Sequence, residues 1–141
     1  MNVDEGFELE VPPVMIPWEV TEGGLKELLG PHGLREVATG YFTITCQSLS
    51  GLKHELGFHF TPRGGNFLQE LEFFRISYPD RNQSYEEFQK HLEIRFGKPS
   101  STAEGSAGFP TQSWDLKRVE IVHCVRDRFG PEEHVRMKRK Y

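Results

Sequence analysis

The chain has few cysteines and no long apolar run, and these two shortages argue against a disulfide scaffold, a zinc site and a membrane span. Only Cys46 and Cys124 occur among 141 residues, each inside a predicted strand, and they lack the spacing of a disulfide scaffold or a zinc site. No stretch approaches the roughly 18 consecutive apolar residues of a membrane span. The first five residues also lack the basic and apolar regions of a secretion signal. The sequence therefore predicts a cytoplasmic protein with reduced cysteines and no membrane partner.

An excess of positive charge is also missing, since the formal net charge is -4. A nucleic-acid partner is therefore not expected. The charge is unevenly distributed, because residues 1–27 contain seven acids and one lysine, whereas residues 134–141 contain four basic residues and no acid. The plainest interpretation is a basic tail that faces water. The alternative is that the acidic N-terminal arm and the basic C-terminal strand meet, within one chain or across a homodimer.

Motifs for catalysis, cofactors and metals are absent as well. Gly97-Lys98 follows a predicted helix and precedes Pro99, whereas a phosphate-binding loop must precede its helix. Gly105-Ser106-Ala107-Gly108 is one residue short of a nucleophile elbow. The six histidines show no short-range ligand spacing. The sequence thus predicts no catalytic residue, no metal and no cofactor, and it disfavours an enzyme without excluding one.

What the sequence does contain is enough apolar material for one core. Hydrophobic residues make up 36% of the chain, and eleven of them are phenylalanine. A chain of this length can bury about 70% of its extended surface as one domain, whereas two smaller domains would each have too little core. We therefore expect residues 1–141 to form a single domain.

Two helices are predicted by their start and stop signals. The first has Thr21 as its cap, leucines at helical spacing, and Gly30-Pro31 as its stop. The second begins at a capping box formed by Ser84 and Glu87 and ends at Gly97-Lys98-Pro99. The side chains predicted to form the buried stripe of this second helix are Tyr85, Phe88, Leu92 and Phe96.

Alternating, aromatic-rich segments predict the strands. They cover residues 34–38, 41–49, 55–61, 67–77, 114–116, 119–125 and 134–138, with Arg63-Gly64-Gly65-Asn66 as a tight turn. Residues 1–20 contain three prolines and predict an extended arm, and residues 100–111 have the Gly/Ser composition of a mobile loop. The predicted fold is α+β: two helices packed on an antiparallel sheet of six or seven strands. An alternative arrangement is two helix-then-sheet units, because Leu-Gly-Pro and Phe-Gly-Lys-Pro end the two helices in similar ways.

Candidate binding residues are aromatics with a polar group, together with residues positioned to join them on a sheet face. The plainer interpretation of the aromatics is that most of them are core or rim residues. His59 is expected on the wet face of its strand, and His123 is expected to be buried or at the rim. The full set of candidates is Trp18, Tyr41, His59, Arg63, Tyr78, Trp114 and His123.

These features favour a non-enzymatic soluble binding module that binds another protein through a sheet face or loops, such as a small inhibitor, an immunity-type protein or an adaptor. The mobile loop at residues 100–111 is the first place to expect function. The alternative is a small-ligand-binding protein or hydrolase with a pocket between sheet and helix, where His59 and His123 supply polar groups.

Overall fold

The computed structural model describes residues 2–61, 67–76 and 80–140. Two α-helices are present, α1 (Glu22–Leu29) and α2 (Arg81–Phe96), with short 3-10 turns at Gly30–His32 and Ser106–Gly108. The strands are β1 (Gly6–Glu8), β2 (Met15–Pro17), β3 (Arg35–Ala38), β4 (Tyr41–Ser48), β5 (Leu52–Phe60), β6 (Leu68–Phe74), β7 (Ser101–Ala103), β8 (Thr111–Asp115), β9 (Val119–Asp127) and β10 (Pro131–Arg139). Neither helix in this part of the chain is long and apolar enough to cross a membrane.

The predicted combination of two helices with an antiparallel sheet is confirmed. In the described residues the large sheet has eight strands in the order β3-β4-β5-β6-β10-β9-β8-β7, and β1 and β2 form a separate pair. The sheet thus exceeds the predicted six or seven strands by β7, which lies in the segment predicted to be a loop. Its polar residues, Ser101 and Thr102, form a strand because β8 supplies the hydrogen-bonding partner, which local composition does not reveal.

The order of elements repeats along the chain. Helix α1 precedes the consecutive strands β3 to β6, and α2 precedes β7 to β10. The last strands of the two sets, β6 and β10, pair with each other, with Val135 opposite Phe73 and Met137 opposite Leu71. This is the order that two helix-then-sheet units would give.

The core lies on the side of the sheet that carries both helices. Leu25 and Leu29 of α1 and Phe88 and Leu92 of α2 are buried in the same cluster as the inward side chains of the strands. Those inward side chains include Phe42, Ile44, Leu56, Phe58, Leu71, Phe73, Ile121, Val135 and Met137. One continuous apolar layer therefore spans the joined sets of strands.

Residues 2–20 contribute to this core, so the segment predicted to be an extended arm is extended but buried. Phe7, Ile16 and Trp18 are buried, and the ring of Phe7 meets Phe73 edge-on at 5.4 Å between centroids. The prolines keep the segment extended, as expected. It carries enough apolar side chains to pack against the core, where it forms the β1–β2 pair.

The acidic and basic ends of the chain meet within one molecule. Arg139 at the end of β10 lies 3.3 Å from a carboxylate oxygen of Glu19. This is the intramolecular form of the predicted contact between the ends. Association of two copies through these segments stays a prediction.

Both helix stops and one of the two predicted caps are confirmed. Thr21 caps α1 by accepting from the Gly24 N–H at 3.1 Å, and α2 ends at Gly97, whose φ of 83° suits glycine. Helix α2, however, is capped by Asp80, which accepts from the Gln83 N–H at 2.7 Å. The prediction of a Ser84 capping box is therefore wrong.

Ser84 lies inside α2 because its hydroxyl has a partner outside the helix. The side chain is buried and donates to a carboxylate oxygen of Glu133 on β10. Tyr85, Phe88 and Leu92 form the predicted buried stripe, whereas Phe96 is only partly buried. The stripe was predictable from spacing, but the start of the helix depended on a contact between distant residues.

Residues 100–111 contain β7 and the second 3-10 turn. Phe109 packs on the Tyr85 ring at 5.0 Å between centroids, and the Tyr85 hydroxyl donates to the Pro110 carbonyl. The predicted mobility of this segment stays a prediction, while the turn predicted at Arg63-Gly64-Gly65-Asn66 lies outside the described residues.

The Asp80 cap gives a stability prediction. Asp80→Ala should lower the free energy of unfolding by about 1 kcal/mol, because an orphan N–H in the first turn of α2 loses its acceptor. Urea unfolding followed by circular dichroism measures this. Glu86→Ala, which removes an exposed carboxylate from the same helix, should change the stability much less. Equal losses in the two variants would contradict the assignment of the cap.

Candidate binding surface on the open sheet face

The sheet has one face without a helix in the described part of the chain, and we call it the open face. Both helices pack on the opposite face, where Lys26 of α1 lies over the Phe42 ring and Tyr85 of α2 stacks on His123. Side chains alternate along each strand, so the residues between the core positions point to the open face. They include Tyr41, Thr43, Glu55, Gly57, His59, Glu70, Glu72, Phe74, Val122, Cys124, His134, Arg136 and Lys138.

Glu72 is the centre of an ion-pair network on the open face. One carboxylate oxygen of Glu72 contacts Nε2 of His59, and the other lies 3.4 Å from Nη2 of Arg136. The other terminal nitrogen of Arg136, Nη1, lies 3.3 Å from Oε1 of Glu70. Burial would raise the pKa of the Glu72 carboxyl, but the hydrogen bond from His59 and the charge of Arg136 outweigh it and lower that pKa. The network therefore keeps a largely buried carboxylate charged and oriented.

Tyr41 lies flat on the open face beside this network. Its ring stacks on His59 with centroids 4.4 Å apart and planes 26° from parallel. It also covers Gly57, where an added Cβ would be 2.8 Å from the Tyr41 hydroxyl oxygen. Burial is the main cause that raises the pKa of Tyr41, and the negative charge of Glu72 adds to it. A glycine in the middle of a strand, unfavourable by itself, thus makes room for an aromatic contact surface.

The β9–β10 side of the open face is more basic. A cleft of about 310 Å³ lies there, lined by three basic side chains, two glutamates and three further residues: Arg126, Arg136, Lys138, Glu70, Glu120, Val122, Cys124 and His134. The pKa of His134 is lowered, first by burial and then by the charges of Arg136 and Arg126. Arg126 and Lys138 have no ion-pair partner among the described residues. This side of the face therefore offers cationic groups to a partner.

The predicted candidates divide between surface and core. Tyr41 and His59 lie together on the open face. Trp18 and Trp114 are only 2% and 1% exposed, and their indole N–H groups donate to the backbone carbonyls of Val3 and Gly97. The two tryptophans are therefore core residues and leave the candidate surface. Arg63 and Tyr78 lie outside the described residues.

His123 is fully buried beneath α2, as one of its two predicted positions required. Its Nε2 lies 2.6 Å from a carboxylate oxygen of Glu133, its Nδ1 lies 2.8 Å from Gln89 Oε1, and its ring stacks on Tyr85. It shares the core face of the sheet, whereas His59 is on the open face. The two histidines therefore do not line one pocket, and the predicted combination of His59 with His123 is corrected.

A cleft does lie between the sheet and α2, but its chemistry differs from the prediction. It has a volume of about 440 Å³ and is lined by Arg75, Glu87, His91 and the start of β5. Arg75 is paired with Glu87, and the His91 ring contacts the Leu49 carbonyl at 2.7 Å. Neither predicted histidine is in it.

A second buried histidine cluster was not anticipated from the sequence. His54 Nδ1 donates to the Glu55 carbonyl, Nε2 accepts from the Ser48 hydroxyl at 2.5 Å, and Cys46 Sγ lies 3.8 Å away. Burial lowers the pKa of His54 to about 4 and raises the pKa of Cys46 to about 12. The thiol stays protonated, and Cys46, Ser48 and His54 are all buried, so the cluster offers no accessible nucleophile.

The residues of the network were missed because register was unknown. Glu70 and Glu72 share one strand face in the sequence, but their partner Arg136 is 64 positions beyond Glu72 and is brought alongside only by the β6–β10 pairing. Alternation could have indicated the face, but it could not have indicated the neighbour. The described residues contain no group of three or more His, Cys, Asp or Glu side chains that could hold a metal ion.

No protein-family model matches this chain, and no curated protein matches it. A structural search found similarity to a DUF4309 family protein, YjgB, from Bacillus subtilis, with 16% identity and a TM-score of 0.47 over 86% of this chain and 80% of that one.

The His54 cluster predicts a pH dependence of stability. The pKa of His54 is about 4 in the folded chain and 6.5 in the reference state, so the unfolded chain binds the proton first as pH falls. The stabilisation that the folded chain gains from a neutral His54 is present above pH 6.5 and is lost progressively between pH 6.5 and 4. It should amount to about 2 kcal/mol between pH 7 and pH 5.

Urea unfolding of the wild type and His54→Gln at both pH values measures this difference. The variant should be less stable at pH 7 but should lose less stability on acidification. His32→Gln, at an exposed histidine, is the control and should keep the wild-type pH dependence. If His54→Gln also kept it, the neutral state of His54 would be disproved.

Gly57→Ala tests the packing of Tyr41. The new methyl group would occupy the space under the Tyr41 ring, so the ring should move into water and its pKa should fall toward 10. Carbon-13 NMR titration of labelled tyrosines measures this, with Tyr41→Phe to assign the signal. Tyr85, whose pKa is raised mainly by burial on the other face, should not change. An unaltered Tyr41 titration would contradict the described contact.

Proposed function

We propose that this chain is a non-enzymatic module that binds another protein through the open face of its large sheet. The observation that carries the proposal is the uncovered face itself, on which charged and aromatic side chains are held in place by one another. Tyrosine and arginine, which occupy central positions here, are enriched among residues that dominate binding energy at protein interfaces.

These side chains are held in fixed positions by their neighbours, and this favours recognition of a partner. Arg136 is held by two carboxylates, Glu72 by two basic groups, and Tyr41 by its stack on His59. A partner would therefore meet groups that have already lost much of their rotational freedom, and less free energy would be spent on ordering them. Thr43 and Glu72 are almost covered by their neighbours, so contacts would fall mainly on the more exposed side chains around them.

A small-ligand-binding protein or hydrolase is less well supported. The cleft on the β9–β10 side of the open face is lined mainly by charged side chains, whereas small-molecule sites are mostly apolar. The cleft beside α2 contains an ion pair and a hydrogen-bonded histidine in place of a nucleophile with its base. The Cys46–His54 contact is buried, with His54 0% and Cys46 4% exposed, so a substrate would not reach it.

A homodimer through the chain ends also has weaker support than a different protein as partner. Three of the four basic residues in the last segment, Arg136, Arg139 and Lys140, each pair with a carboxylate of the same chain. Only Lys138 is left without such a partner in the described residues, and it lies on the open face.

Lys138 therefore provides a direct test. The full chain should first be used to capture its partner from a lysate of the source organism, and the partner should then be purified. Lys138→Glu should weaken binding by about tenfold or more, because it reverses a charge at the proposed interface. Lys90→Glu makes the same change on the exposed side of α2 and should bind like the wild type. Calorimetry measures both affinities.

The result that contradicts the proposal is equally specific. Loss of binding in Lys90→Glu with full binding in Lys138→Glu would move the interface to the helical side of the molecule. Sedimentation at several salt concentrations separates the homodimer, which should show twice the monomer mass without any added protein.

A further inference from the structure

We draw no further inference here: the strongest candidate, the cleft of about 400 Å³ that Val37, Tyr41 and Phe74 line on the β3–β6 side of the open face, belongs to the surface already described, and nothing in the structure shows what covers it.

Discussion

The antiparallel pairing of β6 with β10 joins two consecutive sets of four strands into one sheet, and both faces of the molecule depend on its register. On the core side it places Phe73 opposite Val135 and Leu71 opposite Met137. On the open side the same register places Glu72 opposite Arg136. A shift of one residue would exchange these two sets, putting charges into the core and apolar groups into water.

Polar groups are treated differently on the two faces. In the core, His54 and His123 are satisfied by fixed neighbours, and burial keeps the pKa of His54 low. On the open face, the carboxylate of Glu72 keeps its charge because His59 and Arg136 compensate for burial. Buried polar groups therefore stabilise one arrangement of the core, whereas partly exposed ones remain available to a partner.

Much of the helical structure was predictable because its signals are local. The Thr21 cap, the glycines that end the helices and the stripe at Tyr85, Phe88 and Leu92 all follow from spacing of a few residues. The start of α2 was not predictable, because Asp80 and Ser84 are both acceptable caps. The Ser84 hydroxyl donates instead to Glu133 of a distant strand, and Asp80 caps the helix. Similarly, β7 is a strand because β8 lies beside it.

The sequence alone determined the class of fold, the alternation of most strands and the placement of His59 on the wet face of its strand. Tertiary structure decided which candidates stay there, since Trp18 and Trp114 are equally suited to a surface or a core by composition. It also brought Arg136 to Glu72 and left Phe129 uncovered. The physical reason is that side-chain period is a local property of a strand, whereas register and exposure depend on partners far away in the chain.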